Sequence, residues 1–286
     1  MGRRLASRFV AGLTVDEAIA ACERVNAEGI AVSLDSLGES VTDEAEARVA
    51  AEVYHRLLRE IEARRLNANV SLKLTQMGMD TAPELAEEIV GGIVARAAAV
   101  GSFVRIDMEG SAYTEVTVAM TERLHARFPG SVGTVLQAYL YRTEADAERL
   151  LGQGIRIRLC KGAYKEGPEV AFAAKADVDA NFVKLMKRMV TYSHEGAGVF
   201  CGIATHDAAI VEEMCGFIRE RGIAKTAFEF QMLYGIRRDL QRMLVREGFG
   251  VRVYIPFGAA WYPYFMRRLA ERPANLLFLA RNFFRN

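Results

Sequence analysis

The sequence predicts an α/β fold, a (β/α)8 barrel with an extra N-terminal helix, and three observations point to it. Short apolar runs alternate with longer segments of helical periodicity. About eight such units fit into 286 residues. With only 6 prolines, no Gly/Ser/Pro-rich linker separates halves of different composition. Alternating β and α means parallel strands under a layer of helices, and eight units close a parallel sheet on itself. An open doubly wound sheet is the alternative, less supported because no Gly-x-Gly-x-x-Gly turn follows the first strand. The expected organisation is one domain over 1–286, with a helical extension at 1–28 and an apolar tail at 274–286.

The first helix is expected over 14–26, with Thr14 as its N-cap and Gly29 just past its end. Strands follow at 30–35, 69–74, 103–108, 132–139, 155–160, 199–204, 226–230 and 251–255. The helical segments between and after them are 42–65, 82–99, 112–128, 144–151, 168–193, 208–221, 235–246 and 261–272. After Pro273 comes Asn275-Leu-Leu-Phe-Leu-Ala, either a packing helix or an exposed apolar surface. Packing is the favoured reading, since exposing that much apolar area is costly.

The net charge of +1 leaves no field to favour nucleic acid. Cys22, Cys160, Cys201 and Cys215 form no C-x-x-C pair and read as reduced thiols, which suggests the cytoplasm. The first residues carry positive charge but no apolar run of the length a signal peptide needs, and no uncharged stretch approaches the roughly 18 residues that span a bilayer. At most the protein rests on a membrane surface.

Barrel chemistry sits at the C-terminal ends of the strands. Polar residues stand there where packing alone would ask for Val, Ile or Leu: Lys73, Asp107, Gln137, Arg158 with Lys161, His206 after Thr205, Glu229 with Gln231, and Tyr254 closing the last strand. Any one of them also reads as a solvated strand end or a buried ion pair. Seven strands doing so describe a mixed-charge mouth, with Lys73, Arg158 and Lys161 opposed by Asp107 and Glu229. Such charges must be paired or bind something charged. His206 is the lone strand-end histidine, which leaves a metal site unsupported, and no Gly-x-Ser-x-Gly marks a serine nucleophile. A cation-rich mouth suits a phosphate-bearing group, and Lys161-Gly162-Ala163 would let backbone N–H groups approach a pyrophosphate.

In the last helix, Arg267 and Arg268 lie between Tyr264 and Glu271. Two readings fit. The arginines are solvated and paired with Glu271 at helical spacing, or they form a two-fork pocket for an incoming carboxylate.

Together these motifs resemble the flavin-dependent proline dehydrogenase family. The carriers are Ser71-Leu-Lys-Leu, Asp107-Met-Glu, Gln137-Ala-Tyr, Arg158-Leu-Cys-Lys-Gly-Ala-Tyr, Ala204-Thr-His-Asp, Tyr254-Ile-Pro-Phe-Gly and Tyr264-x-x-Arg-Arg-x-x-Glu. The resemblance implies a barrel whose mouth holds FAD and oxidises L-proline to Δ1-pyrroline-5-carboxylate, passing electrons to a membrane quinone. It implies that Lys73, Arg267 and Arg268 grip the substrate carboxylate while Tyr254 and Tyr264 wall the ring. Asp107 belongs to the catalytic set, and Arg158 lies against the flavin. Met108, Gln137, Lys161, Gly162, Ala163, Thr205 and His206 hold FAD; Glu39 gates the pocket by pairing with the first arginine, and Glu271 braces the arginines. The form implied is monofunctional, cytoplasmic or peripheral at the inner membrane face, with a separate pyrroline-5-carboxylate/glutamate-semialdehyde dehydrogenase taking the product. Residue chemistry alone also admits a Schiff-base aldolase barrel using Lys73 or Lys161.

Overall fold

The structure, a computed structural model, describes residues 7–197 and 199–270, with the side chains of 196, 197 and 267–270 outside the description. Eight parallel strands close into a barrel in sequence order. They are β1 (Ala31–Ser36), β2 (Ala68–Leu72), β3 (Val104–Ile106), β4 (Val132–Gln137), β5 (Arg156–Cys160), β6 (Cys201–Ala204), β7 (Phe228–Leu233) and β8 (Gly250–Phe257). Closure is the pairing of β8 with β1, Val253 against Val32 and Tyr254 against Ser33.

Helix α1 (Val15–Asn26) precedes the barrel and packs on β1 and β8. Thr14 caps it as expected: its side chain accepts from the Glu17 N–H, and Glu17 reaches back to the Thr14 N–H. The outer layer continues as α2 (Glu44–Arg64), α3 (Pro83–Ala99), α4 (Thr114–Arg127), α5 (Thr143–Gly152), α6 (Lys175–Tyr192), α7 (Ala208–Arg221), α8 (Arg238–Arg246) and α9 (Trp261–Ala270). Helix α7 matches its expected bounds at both ends. Asp207 caps one end by accepting from the Ala209 N–H, and Gly222, at φ 64°, stops the other.

The outward strand faces carry the core under the helices, with Val32, Leu34, Val70, Leu72, Ile106, Leu159, Ile203, Phe230 and Ile255 fully buried. The inward faces of β1, β2, β3, β5, β7 and β8 carry polar side chains, where barrel interiors are ordinarily filled by branched apolar ones. Arg158 of β5 bonds to residues of β1, β2 and β7, non-neighbouring strands that it reaches only through the interior.

Several expected boundaries move. The helix expected over 168–193 starts only at Lys175, because the rim claims the residues before it. The Tyr141 N–H donates to the Val170 carbonyl at 3.1 Å and the Phe172 N–H to the Tyr139 carbonyl at 2.8 Å. Strand β8 runs on to Phe257, so Tyr254 lies inside it and does not close it. Lys73 and Asp107 stand just beyond β2 and β3. The tail at 274–286 and Glu271 lie outside the described residues.

Among the described residues, no helix is long and apolar enough to cross a membrane.

Candidate active site

Strand alternation builds the site. In Ile-Arg-Ile-Arg-Leu of β5 the isoleucines face the helices, so Arg156 and Arg158 face the axis. Arg158 is 8% exposed and satisfied on several sides. Its Nη1 donates to Asp107 Oδ1 at 2.9 Å, its Nε to Gln231 Oε1 at 2.5 Å, and its Nη2 to Ser71 Oγ at 3.2 Å. The Asp107 N–H donates to the Leu72 carbonyl at 2.8 Å, which fixes the residue beside the end of β2. Its second oxygen accepts from the Tyr254 hydroxyl at 2.9 Å, and the Tyr254 ring lies 5.3 Å from the Arg158 guanidinium carbon.

Lys73 leans on Asp35, Nζ to Oδ2 3.3 Å, with both side chains buried. Its amine is held above its usual range: burial alone would pull it down, but the Asp35, Asp107 and Glu39 charges outweigh that. Burial, only partly offset by Arg158 and Lys73, pushes the Asp107 carboxyl up. The Tyr254 phenol is pushed well up by burial and then by the Asp107 and Asp35 charges, so it is a neutral donor at any working pH.

A second set of bonds fixes the loops that carry these groups. Glu109 accepts from the Thr75 N–H at 3.1 Å and its hydroxyl at 2.7 Å, tying the loop after Lys73 to the loop after Asp107. Gln137 at the end of β4 donates to the Glu109 carbonyl at 2.9 Å. Met108, between Asp107 and Glu109 in sequence, is buried.

The loops after β5 and β6 form the other side of the mouth. Lys161 Nζ lies 2.5 Å from Asp179 Oδ1 and 3.4 Å from Asp207 Oδ2. Gly162 has φ 126°, and a Cβ there would lie 2.4 Å from the Tyr139 ring, so only glycine fits. Ala163 is exposed. Glu166 anchors this loop across the mouth, accepting from the Ser111 N–H at 2.7 Å and hydroxyl at 2.5 Å. Thr205 Oγ1 accepts from the Asp207 N–H at 3.1 Å, and His206 Nε2 accepts from the Leu233 N–H at 2.8 Å. That nitrogen therefore carries no proton.

Of the residues expected at the site, Lys73, Asp107, Arg158 and Tyr254 converge. Gln137 and Met108 flank them, and Lys161, Gly162, Ala163, Thr205 and His206 share the neighbouring loops. Glu39 is exposed after β1, near enough for its charge to act on Lys73. Tyr264 is buried on α9 against Phe9, Val10, Leu37 and Phe265. Arg267 and Arg268 ride on α9, but their side chains lie outside the description.

Glu229 does not join the mouth. It sits early in β7 and pairs with Arg252 at 2.6 Å in a deeper layer. Sequence reading missed Asp35, Ser33, Ser71, Tyr54, Arg105 and Arg252. Most of these were findable, since polar residues recur every second position: Ser33/Asp35, Asn69/Ser71/Lys73, Arg105/Asp107, Arg252/Tyr254. Tyr54 lies on α2 and carries no such signal.

A closed parallel barrel with a buried, charged mouth at its C-terminal rim defines a barrel enzyme. The family of that enzyme follows from its relatives. The sequence profile of the proline dehydrogenase family matches residues 18–281. Proline dehydrogenase of Deinococcus radiodurans is 41% identical over 281 residues, spanning 97% of this chain and 89% of that one. Proline dehydrogenase 1 of Bacillus subtilis is 40% identical over 281 residues, spanning 98% and 91%. The chain belongs to the proline dehydrogenase family, a family of oxidoreductases. In fold it superposes on proline utilization A from Bdellovibrio bacteriovorus, inactivated by N-propargylglycine, with TM-score 0.85 and 23% identity. That match covers 93% of this chain and 32% of the other, so the chain spans about a third of that protein's length.

Proposed function

We propose that this chain oxidises L-proline to Δ1-pyrroline-5-carboxylate with FAD as its cofactor. The observation that carries the reading is the connected set of buried Lys73, Asp107 and Arg158 with half-buried Tyr254 at the mouth of a barrel of this family.

The residues fit a flavin dinucleotide. Gly162, whose Cβ position is filled by the Tyr139 ring, lets a phosphate come close to the backbone beside Lys161. Met108, Gln137, Arg158, Lys161, Gly162, Ala163, Thr205 and His206 would hold it. Bound there, the flavin supplies a two-electron acceptor for the hydride leaving the carbon beside nitrogen. The chain supplies orientation and charge. Lys73, kept as an ammonium, donates to the proline carboxylate together with Arg267 and Arg268. Tyr254 and Tyr264 wall the ring and exclude water. Arg158 provides fixed positive charge where negative charge develops. Asp107 holds Arg158 and Tyr254 in place with one oxygen each. Proline must arrive with its amine unprotonated, so kcat/KM rises with pH. Glu39 and Glu271 are assigned to gating and bracing of the arginines.

The proposal extends to a membrane quinone as electron acceptor, a cytoplasmic location at the inner membrane face, and a separate dehydrogenase for the product. A Schiff-base aldolase is disfavoured. Such a nucleophile must be a neutral amine, yet Lys73 is held charged by Asp35 and Lys161 lies between two carboxylates.

The test is the visible spectrum of the purified protein before and after adding L-proline. A flavin band that bleaches without nicotinamide supports the reading. A colourless protein, or one trapped by borohydride with a carbonyl substrate, overturns it.

A further inference from the structure

We infer that Asp35, on β1, is a positioning residue for substrate capture, acting through Lys73; the inference rests on the proposed proline reading. Asp35 is fully buried inside the barrel. In register it faces Ser71 of β2, and Lys73 stands two residues further along that chain, so the lysine stem reaches back over the Asp35 carboxylate.

Consider how the carboxylates near Lys73 are used. Asp107 gives one oxygen to Arg158 and the other to Tyr254. Glu39 is exposed, where water screens it. Asp35 alone, among the described residues, makes a hydrogen bond to the Lys73 ammonium, at 3.3 Å. Its other oxygen lies 3.4 Å from the Tyr54 hydroxyl, which Gln76 Oε1 also meets at 2.9 Å. Gln76 in turn donates to the Ser36 carbonyl at 2.8 Å, so α2 and the loop after β2 fix the carboxylate from behind.

An ammonium has three donors. With one spent on Asp35 and none on any other described side chain, two remain for a carboxylate arriving at the mouth. Without Asp35 the lysine would lose the nearest charge opposing its burial and would shed its proton as pH rises. A neutral amine cannot give the charge-assisted bond that capture requires. The other titratable groups facing Lys73 are Asp107 after β3, Glu39 after β1, and Tyr164 in the loop after β5. None replaces Asp35, because the Asp107 oxygens are already engaged by Arg158 and Tyr254, Glu39 stands at the exposed edge and Tyr164 is a weak acid.

The experiment is a cycle of Asp35→Asn, Lys73→Met and the double variant, read as KM and kcat for L-proline between pH 7 and 10. Asp35→Asn should raise KM by about tenfold or more, the loss of one charge-assisted hydrogen bond. Flavin content should be kept, and kcat should change far less than KM. The ratio of its KM to the wild-type KM should grow with pH. The double variant should be no worse in KM than Lys73→Met alone, because Asp35 acts through the lysine. That comparison stands even if Asp35→Asn alone fails to fold, since the double variant leaves no unpaired buried charge.

A KM for Asp35→Asn within twofold of wild type at every pH overturns the inference. So does a further KM increase when Asp35→Asn is added to Lys73→Met. Failure of the wild-type protein to oxidise proline sinks the proline reading itself, a separate result from normal kinetics in Asp35→Asn.

Discussion

The barrel interior holds two polar layers of similar composition that close their charges in different ways. In the deeper layer, donors end on strand carbonyls and on fixed side chains, Arg252 Nε on Glu229 at 2.6 Å and its Nη1 on Asn69 Oδ1 at 3.0 Å. Arg105 Nη1 donates to the Thr134 and Arg156 carbonyls at 2.9 and 2.7 Å, and Arg252 Nη1 to the Val32 carbonyl at 2.8 Å. The guanidinium carbons of Arg105 and Arg156 lie 4.7 and 5.2 Å from the centre of the Phe103 ring, within cation–π range. Of the three arginines there, Arg252 pairs with the carboxylate of Glu229, whose charge also acts on Arg105 and Arg156. In the mouth layer, charges meet side chain to side chain, and Lys73 keeps donors to spare. Buried charge therefore does not by itself mark chemistry. The two layers differ in that the deeper donors end on fixed partners, whereas Lys73 sits at the rim with one described side-chain partner.

Gln231 joins the layers, donating to Glu229 at 2.7 Å and accepting from Arg158 at 2.5 Å. Breaking the two layers separately should therefore give opposite outcomes.

The largest expected effect is at the mouth. If Arg158 aims its charge at the reacting centre as proposed, Arg158→Met should lower kcat by about 10²–10³-fold, as loss of a preorganised electrostatic group does. Stability should fall less than for an ordinary broken buried pair. The Asp107 carboxyl is already pushed up and can take a proton, so the loss should be smallest at low pH. Turnover and thermal melts across pH check both. A variant that melts low at every pH but turns over normally would reverse the assignment of the layers.

Next is the deeper layer. Glu229→Gln leaves its arginines without a carboxylate and should cost about 3 kcal/mol, several degrees in Tm. The amide oxygen still accepts from Arg252 and Gln231, so kcat should stay within about threefold of wild type, read by calorimetry beside steady-state kinetics.

Arg268→Lys should raise the proline KM by about tenfold or more with kcat less affected, since a point charge cannot replace a planar fork. Near-normal KM in both Arg268→Lys and Arg267→Lys would sink the clamp. The smallest effect is expected for Gly162→Ala, where a positive φ and the Tyr139 ring oppose a side chain. Here flavin should dissociate about tenfold more readily, a strain of roughly 1–2 kcal/mol. Flavin fluorescence on dilution measures it.

Much of this architecture is local and was legible in the chain. Strand and helix periods differ, Thr14 and Asp207 supply capping oxygens, and Gly222 supplies a left-handed stop. Those signals act over a few residues, which is why α7 came out at its expected bounds. The helix expected from 168 failed for the converse reason: Pro168 to Ala174 is held by the rim of β4, a partner about thirty residues away. At the mouth, Lys73, Asp107, Arg158 and Tyr254 were legible as residue types in strand-end motifs.

Sequence alone settled which residues are polar on an inward strand face, because alternation is a property of the strand. Only closure decided which of them meet. Asp35 finds Lys73 because β1 pairs with β2, and Arg158 finds Asp107 because side chains from β5 and β3 meet across one axis. Depth was decided the same way. Glu229 and Asp107 are alike as strand carboxylates in the sequence. The register of the closed barrel puts one beneath the mouth against Arg252 and the other at the rim between Arg158 and Tyr254.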